Sequence, residues 1–226
     1  MNPDAIEAAI PHINSKKIVF GHKSVGKNIL EGVSLISDNK INIQQLQGSV
    51  KPGINEFKVG ENLKPIEKIN NFYNVIKQNG DEIEIAMMKL CFVDFVMDAN
   101  VDEIFNHYKD TILKIKKEFP QIKIIHITTP LTEKTPGWKK LVFKVIGRED
   151  KNETVNDKRL RYNSLLKDFF ANDLIFDLAF VESNSKDINT KKKLYLAGDF
   201  SADGAHLNTY GKKVVGLKFI EFLENM

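Results

Sequence analysis

Three residues near the two ends of the chain could together activate a hydroxyl group. Ser24 closes the sequence Phe-Gly-His-Lys-Ser, which follows an apolar run, whereas Asp203 and His206 belong to an Asp-Gly-Ala-His sequence near the C-terminus. An imidazole can take the proton of a serine hydroxyl and pass it to a leaving group, provided that a carboxylate or carbonyl orients the ring. These residue types predict acyl transfer with Ser24 as the nucleophile.

The surroundings of Ser24 also allow two other interpretations. Gly21, Gly26 and Lys27 fit the phosphate-binding pattern G-x-x-x-x-G-K, although Asn28 stands where a magnesium-binding serine or threonine is expected. Ser24 could instead be only the N-cap of a helix, and an Asp-x-x-His spacing is equally compatible with residues that cap a terminal helix. The phosphate-binding interpretation gives Asp203 and His206 no role, whereas the nucleophilic serine requires both.

Short apolar runs alternate with longer stretches of helical period along the whole chain. Strict alternation favours an α/β fold with one parallel sheet of about five strands and helices on both faces. Ligands of such sheets bind beyond the carboxyl ends of the strands, which is where Ser24 follows the first strand. The predicted strands are 17–21, 41–46, 83–93, 122–127 and 174–178, and the predicted helices start at Ser24 or cover 65–78, 101–115, 160–170 and 208–222.

The length of 226 residues is compatible with a single domain, and we predict one domain over 1–226. A long irregular stretch at 129–154 contains Pro136, Gly137 and Trp138. This stretch is a candidate lid over the crevice, with a packed surface excursion as the alternative.

Composition argues against several classes of function. The 33 basic and 30 acidic residues are interspersed and give a net charge of +3, so no basic stripe predicts nucleic-acid binding. Cys91 is the single cysteine, no second histidine lies at ligand spacing, and we expect neither a disulfide, a metal nor a cofactor. No stretch approaches the ~20 apolar residues of a membrane span. The sequence fits a cytoplasmic protein or an exported one whose signal has been removed, and it indicates no oligomeric state.

With these residues identified, the chain resembles the SGNH or GDSL-type hydrolase superfamily. The resemblance is carried by residues 20–24 and by the Asp-Gly-Ala-His-Leu-Asn sequence at 203–208, and it implies a flavodoxin-like α/β/α sandwich with esterase, lipase or deacetylase activity. It also implies Ser24 as nucleophile, with Asp203 and His206 completing the triad. The oxyanion donors of the family are the serine amide, a glycine after the second strand and an asparagine after the third. Gly60, which directly precedes a helix, is the preferred glycine, ahead of Gly48 and Gly53.

The third block departs from the family pattern. Cys-Phe-Val-Asp at 91–94 stands where G-x-N-D is expected, so Val93 replaces the amide donor. Losing one oxyanion donor typically costs ~2.7 to 4 kcal/mol of transition-state stabilisation. The candidates for a replacement donor are Lys89, Asn62 and Asn100.

Two further residues are candidate substrate contacts. Asp94 follows the third strand and keeps the place of the family's aspartate. Lys23 places a cation beside the nucleophile, where it could hold an acidic substrate group or a developing oxyanion. The alternative is that the Lys23 side chain simply points to solvent.

Together, the residues and the resemblance predict a serine acyl-ester hydrolase that works through an acyl-enzyme. A small acyl group on a carbohydrate is the favoured substrate, because no continuous apolar stretch for a long lipid is evident. A non-catalytic SGNH-like binding module and a nucleotide-binding protein that uses 21–27 remain alternatives, and an acyltransferase would use the same residues as a hydrolase.

Overall fold

The computed structural model describes residues 3–147, 150–187 and 192–226. The strands are β1 (Lys17–His22), β2 (Ile43–Gln45), β3 (Gly53–Lys58), β4 (Ile85–Met88), β5 (Lys123–Ile127) and β6 (Leu174–Phe176). The helices are α1 (Pro3–Ser15), α2 (Val25–Ile36), α3 (Pro65–Asn79), α4 (Val101–Glu118), α5 (Gly137–Val145), α6 (Lys151–Phe169), α7 (Leu178–Glu182) and α8 (Thr209–Glu224). None of the described helices is long and apolar enough to cross a membrane.

The strands form one parallel sheet in the order β2-β3-β1-β4-β5-β6. Without the short edge strand β2, this is the 2-1-3-4-5 order of flavodoxin-like folds. The expected α/β/α sandwich is therefore confirmed, with six strands rather than about five.

The additional strand is β3, which the sequence pattern did not reveal. Its sequence Gly-Ile-Asn-Glu-Phe-Lys carries polar residues where a strand buried on both faces is usually apolar. Asn55 is buried because its amide nitrogen donates to backbone carbonyls, including that of Ile18 at 3.1 Å and that of Lys51 at 2.7 Å. The strand predicted at 83–93 is shorter than expected, because the chain leaves the sheet after Met88.

Helices cover both faces of the sheet. Ile18 and Phe20 of β1 point into an apolar cluster with α1, α2 and α8, whereas Val19 points into a second cluster with α3, α4 and α6. This alternation follows from the two-residue period of a strand, and it gives the molecule two cores on either side of one sheet.

A glycine pair brings α2 and α8 unusually close together. A Cβ atom on Gly32 would collide with the backbone carbonyl of Lys212, and a Cβ atom on Gly216 would collide with the backbone of Gly32. Ser24 immediately precedes α2, and His206 lies three residues before α8. The close contact between these helices therefore fixes the distance between the two segments that carry the candidate nucleophile and base.

The segment 129–154 has two parts with different burial. The coil before α5 is largely buried, including Thr129, Leu131 and Thr135, and it forms a wall of the domain. The helix α5, in contrast, is exposed along its described residues. Among the described residues of this segment, α5 and the two residues after it thus have the exposure expected of a lid.

Candidate active site

Ser24 lies at the carboxyl edge of the sheet, where the chain leaves β1 for α2. The strand order reverses between β1 and β4, and the crevice at such a switch point is the usual ligand site of an open α/β sheet. Only Lys23 and Ser24 separate the strand from the helix. The topology therefore places the serine at the position where the fold can accept a substrate.

The backbone of Ser24 is strained. Its φ of 52° and ψ of −112° lie outside the regions that a residue with a Cβ favours, at a typical cost of about 1 to 3 kcal/mol. Ser24 occupies the N-cap position of α2, but its side chain makes no capping hydrogen bond to the helix. Instead, Oγ lies 2.6 Å from Nε2 of His206. In this conformation, the hydroxyl bonds to the imidazole and not to the helix.

His206 is held on its other side by Asp203. Nδ1 of His206 lies 2.7 Å from Oδ2 of Asp203, and the backbone amides of His206 and Ala205 donate to Oδ1 at 2.7 and 3.0 Å. These hydrogen bonds, that of the His206 amide foremost, lower the pKa of Asp203 to about 2. An ionised carboxylate can only accept, so Nδ1 carries the proton and Nε2 presents its lone pair to the serine.

The loop that carries Asp203 and His206 is anchored by Asn208, the residue that also caps α8. Asn208 caps α8 through a 2.9 Å hydrogen bond from the Gly211 amide to Oδ1, and its amide nitrogen donates to two carbonyls of the loop. Asn28 of α2 accepts from the Leu207 amide at 3.3 Å. Because Asn208 supplies the cap, Asp203 and His206 are free to face Ser24.

The loop after β3 contains the preferred oxyanion glycine. Gly60 has a φ of 106°, which only glycine adopts readily. It lies two residues after Lys58 of β3, and Lys58 pairs with His22 of β1, which lies two residues before Ser24. Within the described chain, the amide of Gly60 has no hydrogen-bond partner. The loop thus runs beside the Ser24 turn with a free backbone donor.

Two residues later, Asn62 is held by a buried ion pair. Nζ of Lys68 lies 2.8 Å from each carboxylate oxygen of Asp94 and 3.1 Å from Oδ1 of Asn62. Asp94 also accepts from the amides of Leu63 and Cys91, so it ties the loop after β3 to the turn after β4. The amide nitrogen of Asn62, which is exposed, has no partner among the described residues. It could therefore donate to a ligand.

The other predicted contacts lie in different surroundings. Lys89 is only 1% exposed, and burial lowers its pKa. Its Nζ donates to the Leu90 carbonyl at 3.3 Å and lies 3.7 Å from the Cys91 sulfur. Asn100 caps α4 by accepting from the Glu103 amide. Lys23 is partly exposed, with no ion pair to any described residue. Of the three candidate replacement donors, Lys89 is buried, whereas Asn62 and Asn100 are both exposed and each has its side-chain oxygen held by a neighbour. Asn62 is the preferred donor because it lies two residues after Gly60, in the loop beside the Ser24 turn.

The geometry of β1 argues against a phosphate-binding loop. His22 still belongs to β1 and Val25 already belongs to α2, so no loop remains that could wrap a phosphate. His22 Nε2 lies 2.8 Å from Glu56 Oε2, and Lys27 Nζ lies 3.3 Å from Oε1 of the same carboxylate. The lysine that would bind phosphate is thus paired with a buried acid.

Sequence reasoning missed several buried residues that shape the site. The buried face of α3 is formed by Lys68, Ile69, Phe72 and Ile76. A lysine in an otherwise apolar helical pattern was therefore the one sequence feature that could have revealed a buried charged residue here. Arg159 donates to the Phe92 carbonyl at 3.0 Å and thereby braces the turn after β4. The Phe92 ring meets the His206 ring edge-on, with centroids 5.4 Å apart. No comparable signal marked Arg159 or Phe92 in advance.

A cavity lined mainly by polar and charged residues adjoins the triad on the Asp203 side. It has a volume of about 1030 Å³ and lies between the coil before α5 and the loop of Asp203, Gly204 and Ala205. Its wall includes Thr135 and Asn152, which are linked by a 3.3 Å hydrogen bond. Ser24 and His206 do not line this cavity, so it flanks the reactive atoms rather than enclosing them. In the described chain, no three potential metal ligands converge.

Comparison with known proteins gave matches at the level of structure only, since no family model and no curated protein sequence matches the chain. A lipase/acylhydrolase from Enterococcus faecalis superposes with a TM-score of 0.54 at 14% identity, covering 93% of this chain and 96% of the other. A protein from Desulfitobacterium hafniense that is assigned to the G-D-S-L family of lipolytic proteins superposes with a TM-score of 0.53 at 14% identity, covering 92% of this chain and 99% of the other.

A third similar structure is a catalytic mutant of an acetylxylan esterase from Geobacillus stearothermophilus. It superposes with a TM-score of 0.53 at 11% identity, covering 93% of this chain and 94% of that one. The three alignments extend over nearly the full length of both partners, so they compare whole domains. The chain therefore has the fold of the GDSL-type lipases and acylhydrolases, as its end blocks predicted.

Proposed function

We propose that this protein is a serine acyl-ester hydrolase that forms an acyl-enzyme on Ser24. The observation that carries the proposal is the unbroken hydrogen-bonded chain from Ser24 Oγ through His206 to Asp203, with links of 2.6 and 2.7 Å. This arrangement is the one that makes a serine hydroxyl nucleophilic at neutral pH.

In the proposed reaction, Nε2 of His206 takes the hydroxyl proton as Ser24 Oγ bonds to the ester carbonyl carbon. The imidazolium then gives the proton to the departing alcohol as the ester bond breaks. A water, deprotonated by the same nitrogen, attacks the acyl-enzyme and releases the acid with free Ser24. Asp203 stays ionised throughout, because its pKa of about 2 keeps it a carboxylate, and it stabilises the transient imidazolium.

The oxyanion would be held by three donors from two loops. The Ser24 amide stands at the N-terminus of α2, where the helix dipole favours negative charge, and the Gly60 amide is free. Asn62 supplies the third donor in place of the family asparagine that Val93 replaces. Lys68 supports this role because it bonds Oδ1 of Asn62 and leaves the amide nitrogen as the end that can face a substrate.

The substrate we favour is a small acyl group on a polar carrier such as a carbohydrate. The residues around the cavity beside Asp203 are mainly threonine, asparagine, lysine and acidic residues, which suit a hydroxyl-rich molecule better than a long acyl chain. A partly exposed Lys23 beside the nucleophile would favour a carrier with an acidic group.

The proposal is tested by hydrolysis of para-nitrophenyl acetate and butyrate. Ser24→Ala and His206→Ala should each lower kcat/KM by at least about 10³-fold, because either change removes the nucleophilic unit. His107→Gln is the matched control, since His107 bonds Asn70 at the surface of α3 and α4 and should leave turnover unchanged. A fluorophosphonate should add covalently to Ser24 of the wild type and of the control only.

A folded wild type that neither hydrolyses these esters nor reacts with the fluorophosphonate would contradict the proposal. That result would favour a non-catalytic binding module instead, in which the loss of the amide at Val93 marks a site that no longer needs to stabilise an oxyanion. Turnover that survives in Ser24→Ala would equally exclude the acyl-enzyme.

A further inference from the structure

The helix α5 carries an apolar face that packs against none of the described residues. Trp138, Leu141, Val142 and Val145 are spaced i, i+3, i+4 and i+7, the pattern with which a helix normally packs against a core. Here they are 66%, 64%, 46% and 78% exposed, and Ile146 continues the face at 54%. Scattered apolar residues are normal on a surface, but a contiguous helical stripe marks an interaction site.

The charges around this face indicate which partner it suits. The segment 134–147 contains four lysines and no acidic residue. Lys139 and Lys144 are exposed on α5, and the Lys139 ammonium lies 5.4 Å from the centroid of the Trp138 ring. An exposed apolar stripe with a tryptophan and flanking lysines is typical of helices that lie in the interface of an anionic membrane. A protein partner would more often be matched by charges of both signs.

The position of α5 connects this face to the candidate site. The coil that leads into α5 forms one wall of the cavity beside Asp203, and the Glu133 amide donates to the Gly204 carbonyl at 2.9 Å. Lys139 of α5 itself lines the cavity. A surface that seats α5 would therefore lie next to the cavity mouth.

We propose that α5 docks the protein onto an anionic lipid surface, with Trp138, Leu141 and Val145 inserted at the headgroup boundary and Lys139 and Lys144 paired with lipid phosphates. Docking itself does not depend on the proposed hydrolase activity. If that activity holds, the substrate is an ester carried at a membrane surface.

Trp138 is the single tryptophan of the chain, so intrinsic fluorescence reports directly on α5. Vesicles of equal parts phosphatidylcholine and phosphatidylglycerol should shift the emission to shorter wavelength and sediment the protein, whereas phosphatidylcholine alone should do neither. Lys139→Gln with Lys144→Gln should weaken partitioning roughly 25-fold, because each lysine near an anionic surface contributes about fivefold. Leu141→Asp with Val145→Asp should abolish binding.

Leu113→Asp is the matched control, because Leu113 is 45% exposed on α4, away from this face. It should bind vesicles as the wild type does. Hydrolysis of para-nitrophenyl acetate by Leu141→Asp with Val145→Asp should stay at the wild-type level, which separates failure of docking from failure of the catalytic proposal. The proposal is overturned if folded wild type shows no shift with anionic vesicles, or if the double Asp variant still binds them. It is also overturned if the wild type is a dimer that this variant converts to a monomer, since the face would then cover a second copy.

Discussion

His206 and Asp203 form a histidine–carboxylate pair that faces solvent, whereas His22 and Glu56 form a similar pair that is buried in the sheet. Nitrogen and oxygen are 2.7 Å apart in the first pair and 2.8 Å apart in the second. The side chains of the first pair are 41% and 55% exposed, and those of the second are 4% and 7% exposed. The two contacts are almost equal in length, so the pairs differ chiefly in their surroundings.

The surroundings decide whether the imidazole can gain a proton. Burial, as the largest cause, lowers the pKa of His22, and its Nδ1 has no partner in the described chain. The second nitrogen of His206, in contrast, meets the Ser24 hydroxyl in an accessible crevice. The buried pair links β1 to β3. In the proposed reaction, the exposed pair carries a proton between the reactants.

Asp203→Asn is expected to have the largest effect on activity. The amide can present a donor to Nδ1 of His206 and so favours the tautomer that cannot accept the serine proton, which should lower kcat by about 10³- to 10⁴-fold. Because Asp203 is exposed, the midpoint of thermal unfolding should change little. Steady-state hydrolysis of para-nitrophenyl acetate and calorimetry on the same preparations measure the two quantities.

Two substitutions serve as controls for that experiment. Asp199→Asn removes an exposed carboxylate four residues away and should leave both quantities unchanged. Glu56→Gln should show the reverse of Asp203→Asn, with a free energy of unfolding lower by about 1 to 3 kcal/mol and kcat within tenfold, because it removes a buried charged acceptor. If Glu56→Gln reduced kcat as much as Asp203→Asn does, the division between a catalytic and a structural pair would be wrong.

A second prediction concerns Asn62, the exposed residue that the buried ion pair of Lys68 and Asp94 holds beside the candidate site. Asn62→Ala should lower kcat by about 10²-fold with little change in KM, because an oxyanion donor acts only in the transition state. Asn100→Ala, which removes the cap of α4, should cost stability without this loss of kcat. Adding Val93→Asn to the Asn62→Ala variant places an amide where the G-x-N-D block has its asparagine, and it should restore part of the activity. Equal kcat in the wild type and in Asn62→Ala would refute the role of Asn62.

The sequence was most informative where position along the chain determines position in space. Ser24 follows the first strand and His206 precedes the last helix, and a parallel sheet brings the ends of its strands to one edge, so their approach could be predicted. The contact distance could not, because it depends on the strained turn at Ser24 and on the close packing of Gly32 and Gly216.

Buried polar residues were the main source of error. Asn55 and Glu56 made β3 look like a loop, because their partners come from segments distant in sequence, and the same is true of Lys68 with Asp94. Periodicity detects apolar faces, whereas a polar residue that is paired across the sheet leaves no periodic signal. The buried supports of the site are therefore harder to predict than its exposed, reactive residues.

The smallest predicted effect tests a buried carboxyl group directly. Burial, the largest cause, raises the pKa of Glu182 to about 8 from the usual 4.5, although the Leu131 amide, Lys89 and Arg159 oppose this shift. Between these two values the folded protein holds a proton that the unfolded chain releases. The free energy of unfolding should therefore decrease as pH rises through this window, by at most about 1.4 kcal/mol per pH unit.

Glu182→Gln imitates the protonated acid and should remove this dependence. Urea unfolding of wild type and variant between about pH 7 and pH 8 measures it, and the difference between the two proteins cancels the opposite contributions of His22, His126 and Lys89, whose pKa values are lowered by burial. A difference that stays constant with pH would mean that Glu182 is already ionised in the folded protein. Lys89 and Arg159 would then have to compensate the charge of Glu182. These buried side chains would form a network of charged groups, and Glu182 would not be a neutral acid within it.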